Sequence, residues 1–350
     1  MPTRVRSHAK INLGLAIGPV RPDGYHALAT IYQTLAIHDF VEVTAQPLAH
    51  GAASQIAMEC NNQWVPCDAR NTCWKIVERA LARMNIPAQV GILIEKRLPV
   101  QGGLGAGSAN AAAALLGLEK ELGIVLPAAD RLAIAAEVGS DVPLFLIGGT
   151  VLGLGRGEEV TPLPDLPETH CVLAVPGVGV STPQAFRDWD RLQGDQGHQA
   201  PNAANRLTAG AASDRLEQLG RMWASAVAVP QESLTNATGV FPDSVKKDRA
   251  ENLLLELVRA GIVNDFEQVV FTQYPSLRGI LETMKGNSHS DASAICAALS
   301  GSGSALFGLY GTEAAAGQAA ERLAEQGIAA CRTETIGRAR YWRDMVAELR

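Results

Sequence analysis

The glycine-rich run GGLGAGSANAA, residues 102–112, constrains the fold of this 350-residue chain more than any other segment. It follows the strand-like segment QVGILIEKRLPV, which ends at Pro99, and leads into an alanine-rich helix that should stop near Gly123. Glycines let several backbone N–H groups converge on one point, and the helix start adds its positive dipole end, so the unit suits a polyphosphate. An ordinary strand-to-helix connection would use the same glycines. The loop alone leaves both interpretations open.

The spacing of this loop excludes two common phosphate-binding motifs. A P-loop needs Lys and then Ser or Thr after its last glycine, whereas Ser108 directly follows Gly107. The dinucleotide fingerprint G-x-G-x-x-G fails because Ser108 or Asn110 stands where its third glycine belongs. The loop therefore belongs to another class, in which Ser108 either caps the helix or offers its hydroxyl to phosphate or metal.

Composition and length describe a globular chain, with 47% hydrophobic and 19% charged residues and a length that favours two domains. The net charge of −6 and the scattered Lys and Arg argue against nucleic acid as a partner. No apolar run reaches the roughly 18 residues of a membrane helix, and the N-terminus has no signal-peptide pattern, so we expect a cytoplasmic protein without membrane contacts. The six cysteines and seven histidines show neither disulfide nor zinc-site spacing.

The order of the predicted elements indicates an α+β fold. TRVRSHAKINLGLAIGPV and HDFVEVTAQPLA alternate as strands do, and DARNTCWKIVERALARMNI predicts an amphipathic helix with Asn71 as its N-cap. Further helices are predicted over AADRLAIAAEVGSD, ending at Gly139, over VNDFEQVVFTQYPSLRGILETMK and over TEAAAGQAAERLAEQG. The order lacks the regular β-α repeat of a doubly wound sheet. The segment from about 188 to 263 predicts surface structure with short helices, partly mobile.

Three polar residues are isolated in apolar surroundings. Lys10 lies in the strand-like run HAKINLGL, where burial is costly unless a carboxylate or phosphate neutralises the charge. Asn12 lies two residues further on, hence on the same strand face. Asp141, in GSDVPLFL, has a simpler interpretation as the cap of a short helical turn.

Two short segments also remain ambiguous. In RPDGYHALAT, the hairpin dipeptide Asp23-Gly24 is followed by Tyr25 and His26, which either pack within a strand or hold a ring-shaped ligand. The alternating glycines and serines of LSGSGSALF favour a plain tight turn.

Taken together, AKINLGL, RPDGYHALAT, EKRLPVQGGLGAGSANAAAAL, GSDVPLFLIGG, PGVGVST and SGSGSALF resemble, in order and spacing, the motifs of the GHMP kinase superfamily. The Asp-Gly-Tyr-His element and NDFEQVVFTQYP resemble its 4-diphosphocytidyl-2-C-methyl-D-erythritol kinase family in particular. This chain departs from the usual loop pattern at Gln101, at Ala106 in place of glycine and at Ala109 in place of serine. An alanine at position 106 requires a negative φ there.

The resemblance implies a two-domain α+β fold with the site between the domains. Residues 1–165 would form a β-α domain with a left-handed β-α-β crossover, and residues 166–350 a ferredoxin-like domain with a longer insertion at about 188–263. It also implies Mg²⁺-dependent transfer of phosphate from ATP to the 2-hydroxyl of 4-diphosphocytidyl-2-C-methyl-D-erythritol, in non-mevalonate isoprenoid biosynthesis, by a monomer or homodimer. The small-molecule substrate would be its partner.

The resemblance further implies a role for each matching residue. Lys10 and Asp141 form the catalytic pair, while Tyr25 and His26 recognise cytosine and Phe186 covers the opposite face of the base. Asn12 and Thr182 join the substrate site. The sequence identifies no metal ligand and no adenine contact. The ATP phosphates are wrapped by Pro99, Val100, Gln101, Gly102, Gly103, Leu104, Gly105, Ala106, Gly107, Ser108 and Ala109, and the third motif comprises Ser300, Gly301, Ser302 and Gly303.

Chemistry supports the catalytic pair independently. A hydroxyl nucleophile loses its proton as the new P–O bond forms, so a carboxylate within hydrogen-bond reach is the natural acceptor. A loose transition state needs little prior deprotonation, which makes positioning more important than basicity. A mevalonate- or homoserine-type kinase is the alternative that Asp-Gly-Tyr-His argues against. A non-catalytic nucleotide-binding protein is a second alternative, and it has no need for both Lys10 and Asp141.

Overall fold

The computed structural model describes residues 1–100, 102–199, 264–286 and 292–347, with side chains described up to residue 194 in the second range. Gln101 and residues 200–263, which contain most of the expected insertion, lie outside it. The strands are β1 (Thr3–Val20), β2 (His26–Pro47), β3 (Gln55–Cys60), β4 (Ala88–Glu95), β5 (Thr150–Leu154), β6 (Glu159–Pro162), β7 (His170–Ala174), β8 (Cys296–Leu299), β9 (Leu306–Tyr310), β10 (Ala330–Glu334) and β11 (Val346–Ala347). The helices are α1 (Thr72–Met84), α2 (Ala106–Leu122), α3 (Ala128–Val138), α4 (Thr182–Gln199), α5 (Phe266–Gln273), α6 (Pro275–Lys285), α7 (Glu313–Glu325) and α8 (Arg338–Asp344), with a 3₁₀ turn at Pro143–Leu146.

The first sheet has the strand order β11-β1-β2-β4-β3, and β5 and β6 extend it from β2. The pairs β1–β2 and β2–β4 are antiparallel, whereas β3 and β4 are parallel and are joined through α1. This β-α-β unit is the predicted crossover, whose hand stays a prediction. Helices α1 and α2 pack together in the core beneath the sheet.

The β1–β2 hairpin confirms the predicted turn. Val20 pairs with His26, so the chain reverses between them, and Gly24 takes a φ of 83° that a side chain disfavours. The Asp23 carboxylate accepts from the Tyr25 backbone N–H at 3.1 Å, which fixes the turn locally. The hairpin therefore places Tyr25 and His26 at the start of β2.

The helix ends also follow the sequence. Asn71 caps α1, its Oδ1 accepting from the backbone N–H of Cys73 at 2.8 Å, and Gly123 ends α2. Helix α2 begins at Ala106, where a negative φ places alanine without strain. Its N-cap is Gly105, so the interpretation of Ser108 as the cap is wrong: Ser108 lies inside the first turn, where its own backbone is helical.

The second sheet has the antiparallel order β10-β7-β9-β8. Along the chain these strands appear as β7, helices, β8, β9, α7 and β10, which is the β-α-β-β-α-β arrangement of a ferredoxin-like domain. The α+β class and the ferredoxin-like second domain are confirmed.

Two predicted boundaries are wrong. The single helix expected over residues 263–285 is two helices, α5 and α6, because Tyr274 precedes Pro275 and leaves the helical region at φ −125° and ψ 74°. Strand β4 ends at Glu95 rather than Pro99, because the Asp39 carboxylate takes the backbone N–H groups of Arg97 and Leu98, each at 2.7 Å.

The C-terminal part of the chain returns to the first sheet. Strand β11 pairs with β1, with Val346 opposite Val5, and the buried Tyr341 of α8 donates its hydroxyl to the Phe145 carbonyl at 2.6 Å. The domain boundary at residues 165 and 166 stays a prediction. No helix within the described ranges is long and apolar enough to span a membrane.

Candidate active site

A cavity of about 400 Å³ lies over the glycine loop. Its lining contains nine of the eleven residues predicted to wrap ATP phosphates: Pro99, Val100, Gly102, Gly103, Leu104, Gly105, Ala106, Gly107 and Ser108. Of the other two, Ala109 is a residue of α2 that is buried in the core, and Gln101 lies outside the described residues. The remaining wall includes Trp64, Arg70 and Lys96, which the sequence did not single out. Aromatic and cationic side chains here suit a nucleotide.

Glycine is required at two points of the loop. Gly103 has a φ of 80°, and a Cβ atom there would overlap the Ser300 carbonyl oxygen. Gly105 has a φ of 70°, and its Cβ would lie 2.9 Å from Cγ of Lys10. The loop can therefore pack against the third motif and the predicted catalytic lysine only because these two positions carry no side chain.

The third motif contacts the glycine loop directly and is more than a tight turn. The Ser300 hydroxyl donates to the Gly103 carbonyl at 2.9 Å, and the Ala305 backbone N–H donates to the Gly102 carbonyl at 3.1 Å. Gly301 lies beside the predicted catalytic pair, since a Cβ there would be 3.5 Å from the Lys10 Nζ. The motif thus joins the second domain to the loop.

A buried ion pair anchors the chain just before the loop. Lys96 pairs with the carboxylate of Asp39, which is fully buried and also accepts from the Asn110 amide at 3.0 Å. Asp39 is on β2, Lys96 follows β4 and Asn110 is on α2. The pair therefore fixes the segments on both sides of the loop relative to the sheet.

The structure brings Lys10 and Asp141 together. The Lys10 Nζ lies 3.2 Å from Asp141 Oδ2 and donates to Asn12 Oδ1 at 2.7 Å, and Lys10 is only 3% exposed. The capping interpretation of Asp141 is wrong, because the cap of the following turn is Val142 without a side-chain bond. The carboxylate instead compensates the buried ammonium.

Tyr32 is a site residue that the sequence reasoning missed. Its hydroxyl donates to Asp141 Oδ1 at 2.9 Å, and the Lys10 Nζ lies 5.6 Å from the centre of its ring. Burial and the adjacent Asp141 charge raise the pKa of Tyr32 well above its usual value, so the hydroxyl stays a proton donor. In the sequence, the only signal was the hydroxyl of Tyr32 within a strand-like run. In the structure, Tyr32 lies opposite Asn12 in the β1–β2 register.

Buried amides hold the surrounding backbone. The Asn12 amide donates to the Thr30 hydroxyl at 2.8 Å, so the side chain that orients Lys10 is itself fixed. Asn264, only 2% exposed, donates to the carbonyls of Leu299 and Gly301 at 2.9 Å and 2.6 Å. Asn264 is the first residue of the NDFEQVVFTQYP segment, and the resemblance of that segment to the kinase family could have identified it.

The structure brings together two of the three predicted base-recognition residues. The His26 ring stacks on Phe186 with centroids 5.1 Å apart and planes 8° apart, and its Nε2 lies 3.1 Å from Asp190. Tyr25 is 58% exposed, with the Arg156 guanidinium 5.1 Å from its ring centre. Thus His26 and Phe186 are in mutual contact, whereas Tyr25 lies apart from them against Arg156.

Thr182 links the substrate side to the third motif. Its hydroxyl lies 2.6 Å from the Ser302 hydroxyl, at the start of the helix that also carries Phe186. Within the described ranges, no group of three or more His, Cys, Asp or Glu residues could hold a metal ion.

A cavity over a glycine loop, beside a Lys–Asp pair and within this two-domain fold, is typical of a small-molecule kinase of the GHMP class. The sequence matches the GHMP kinases N terminal domain at residues 71–149 and the GHMP kinases C terminal domain at residues 246–329. The 4-diphosphocytidyl-2-C-methyl-D-erythritol kinase of Solibacter usitatus is 35% identical over 98% of this chain and 93% of its own. That of Nocardia farcinica is 36% identical over 75% and 91%. The chain belongs to the 4-diphosphocytidyl-2-C-methyl-D-erythritol kinase family.

Solved structures agree in fold. A crystal structure of 4-(cytidine 5'-diphospho)-2C-methyl-D-erythritol kinase matches with a TM-score of 0.65 and 26% identity, over 95% of this chain and 99% of that one. Homoserine kinase from Cytophaga hutchinsonii matches with a TM-score of 0.63 at 18% identity, over 96% and 95%. The second likeness reflects the shared fold alone.

Proposed function

We propose that this protein transfers the γ-phosphate of ATP to the 2-hydroxyl of 4-diphosphocytidyl-2-C-methyl-D-erythritol, in the non-mevalonate route to isoprenoid precursors. The observation that carries the proposal is the Lys10–Asp141 pair, which touches the glycine loop on one side and the third motif on the other. Relatives named for this activity match almost the whole chain.

Asp141 accepts the proton of the attacking hydroxyl. Its two oxygens are held by different groups, Oδ2 by Lys10 and Oδ1 by Tyr32, so the carboxylate cannot rotate freely. Each carboxylate oxygen has a second lone pair, which leaves room for the substrate hydroxyl. Lys10 stabilises the negative charge that builds on the transferring group, and its buried position strengthens that effect.

The loop residues fit a nucleoside triphosphate. The cavity is walled by backbone at the N-terminus of α2, where N–H groups without helical partners can donate to phosphate oxygens. Lys96 and Arg70 lie in the same wall, where they are paired with Asp39 and Asp68. The exposed ring of Trp64 offers a face for the base. Mg²⁺ would neutralise the phosphates, held mainly by phosphate oxygens and water.

His26 and Phe186 recognise the cytosine end. Their stacked pair offers flat faces, and Tyr25 at the turn supplies a third ring that can move onto a base. The Asp190 side chain is 53% exposed, so it can move away from His26. The ring edge of His26 can then bond to the edge of the base.

A coupled ADP-release assay tests the proposal with a panel of acceptors: 4-diphosphocytidyl-2-C-methyl-D-erythritol, mevalonate and homoserine. We expect turnover with the cytidine compound alone, and a mass increase of one phosphate on its methylerythritol part. Equal or greater turnover with mevalonate or homoserine would reject this substrate. Absence of turnover with all three, in protein that binds ATP, would favour a non-catalytic role.

A further inference from the structure

A second cavity, of about 570 Å³, lies between β1, the middle of β2 and α8. None of its lining residues belongs to the cavity at the glycine loop. Its wall contains Arg6, His8, His38, Arg340, Arg343 and Asp344. The proposed kinase reaction uses none of these side chains.

The two histidines of this cavity present hydrogen-bond acceptors. His8 Nδ1 lies 3.0 Å from the Leu35 carbonyl and His38 Nδ1 lies 2.7 Å from the Ala36 carbonyl. A carbonyl only accepts, so each Nδ1 carries the proton, and Nε2 of a neutral ring is left with a lone pair. Burial lowers the pKa of His8 to about 4 and also lowers the pKa of His38, so both rings are neutral near pH 7.

The Nε2 atom of His8 is an orphaned acceptor. His8 is 3% exposed, and this atom has no hydrogen-bond partner among the described residues. A buried acceptor without a donor costs free energy, and such groups in native proteins are usually satisfied by a bound molecule or by water. His8 also lines the cavity, so a small rotation of its ring would bring this atom to a hydroxyl bound there, which would relieve that cost.

Arg6 provides the uncompensated charge. Arg340 already contacts three carboxylates, those of Glu168, Glu334 and Asp344, and Arg343 pairs with Asp344 at 3.0 Å. The Arg6 guanidinium donates to the backbone carbonyl of Asp344, but within the described ranges no carboxylate lies within 4.0 Å of it. Its remaining N–H groups can therefore bind an anion.

We propose that this cavity binds a small hydroxylated organic anion of the polyol monophosphate class. Arg6 holds the phosphate through charge-assisted hydrogen bonds, and the Nε2 atoms of His8 and His38 accept from hydroxyls. The donor–acceptor combination favours a ligand that carries both groups. An uncharged polyol leaves Arg6 unsatisfied, and inorganic phosphate offers the two imidazoles only the O–H groups of its own protonation.

The test is isothermal titration of the full chain with sn-glycerol 3-phosphate, inorganic phosphate and glycerol. A non-hydrolysable ATP analogue with Mg²⁺ is kept saturating, so that the glycine loop does not take the probe. We expect sn-glycerol 3-phosphate to bind at least tenfold more tightly than either other probe. Binding should shift the ¹⁵N resonances of the His8 and His38 imidazoles, which reports the location without relying on the nucleotide block.

Two substitutions locate the contact. Arg6→Gln keeps the stem but removes the charge, and should weaken binding of sn-glycerol 3-phosphate about tenfold or more. Arg97→Gln is the matched control, because Arg97 also lies over the Phe40 ring, at 4.6 Å, but does not line the cavity. It should leave binding unchanged.

Three outcomes would overturn the proposal. Equal affinity for inorganic phosphate and sn-glycerol 3-phosphate would show that the histidines do not bind the hydroxyls of the ligand. Binding that Arg6→Gln does not weaken, or that leaves both imidazole resonances in place, would put the probe elsewhere. Absence of binding at millimolar concentration by folded protein would reject the site.

Discussion

The two ends of the proposed substrate site differ in how firmly they are held. At the catalytic end, Lys10 is 3% exposed and is bonded to Asp141 and Asn12, and Asp141 is bonded again to Tyr32. At the base-recognition end, Tyr25 is 58% exposed, and the Asp190 side chain on His26 is 53% exposed. The groups at the catalytic end are preset, whereas Tyr25 and Asp190 at the recognition end can rearrange around a His26 ring that is held at the Gly18 carbonyl.

This difference follows from what each end does. Phosphoryl transfer depends on positions held to a fraction of an ångström, so its groups gain from a rigid frame. Base recognition by stacking tolerates adjustment and needs an open entrance. We therefore expect substitutions at the catalytic end to lower kcat and those at the recognition end to raise KM, and the following variants test that division.

The largest effect is expected at the catalytic pair. Asp141→Asn removes the proton acceptor with little change in shape, and Lys10→Ala removes its cationic partner, so either should lower kcat by about 10²–10⁴-fold with a modest change in KM. Asp130→Asn, at an exposed ion pair with Arg83, is the control and should be neutral. Near wild-type turnover by either folded variant would show that the pair does not take part in catalysis.

The glycine loop gives the next largest effect. Gly103→Ala adds a Cβ atom against the Ser300 carbonyl at a positive φ, which costs about 1–2 kcal/mol from the backbone conformation before the clash is added. We expect a higher KM for ATP and a lower Tm.

Gly107→Ala is the matched variant in the same loop. Gly107 is within α2, and a Cβ there would lie 3.8 Å from Thr72 Oγ1, so alanine should raise stability by up to about 1 kcal/mol. Equal KM for ATP in the two alanine variants would show that the close approach of Gly103 to Ser300 does not shape the nucleotide site.

Tyr25→Ala tests the open end. Loss of an aromatic stacking contact costs about 1–3 kcal/mol, which corresponds to a 5–150-fold higher KM for the cytidine substrate. The KM for ATP should not change. Trp64→Ala, which removes an exposed ring from the nucleotide cavity, should give the reverse pattern. A Tyr25 variant that loses both ligands equally would contradict the separation of the two ends.

The smallest effect is expected for Tyr32→Phe, which removes one hydrogen bond from Asp141 and keeps the ring. The loss of one hydrogen bond to a charged group costs about 1.5 kcal/mol here, so kcat should fall about tenfold at constant KM. Tyr341→Phe removes a buried hydroxyl bonded to a backbone carbonyl and should lower Tm without lowering kcat. If Tyr32→Phe lowers Tm as Tyr341→Phe does and leaves kcat unchanged, the Tyr32 hydroxyl has a structural role only.

Local features of the fold were predictable because they depend on neighbouring residues. The Asn71 cap, the hairpin at Gly24 and the end of α2 at Gly123 each follow from the conformational preference of one residue. The break at Tyr274 was also local, but the apolar periodicity runs across it and hid the effect of Pro275.

Features of the site that join distant segments could not be read from the residues alone. Tyr32 and Asp141 are 109 positions apart, and Ser300 and Gly103 are 197 apart. Neither partner carries a local pattern that points to the other, since the contact depends on how β2, the turn after α3 and the second domain pack. The resemblance supplied the pairing of Lys10 with Asp141, but not the third member, Tyr32.

The pairing of β11 with β1 has a consequence for synthesis. Strand β1, which carries Lys10, pairs through Val5 with Val346, a residue 341 positions further along the chain. During translation this edge of the sheet therefore has no partner until the strands of the second sheet have been synthesised. Completion of the first sheet is thereby tied to synthesis of the second domain.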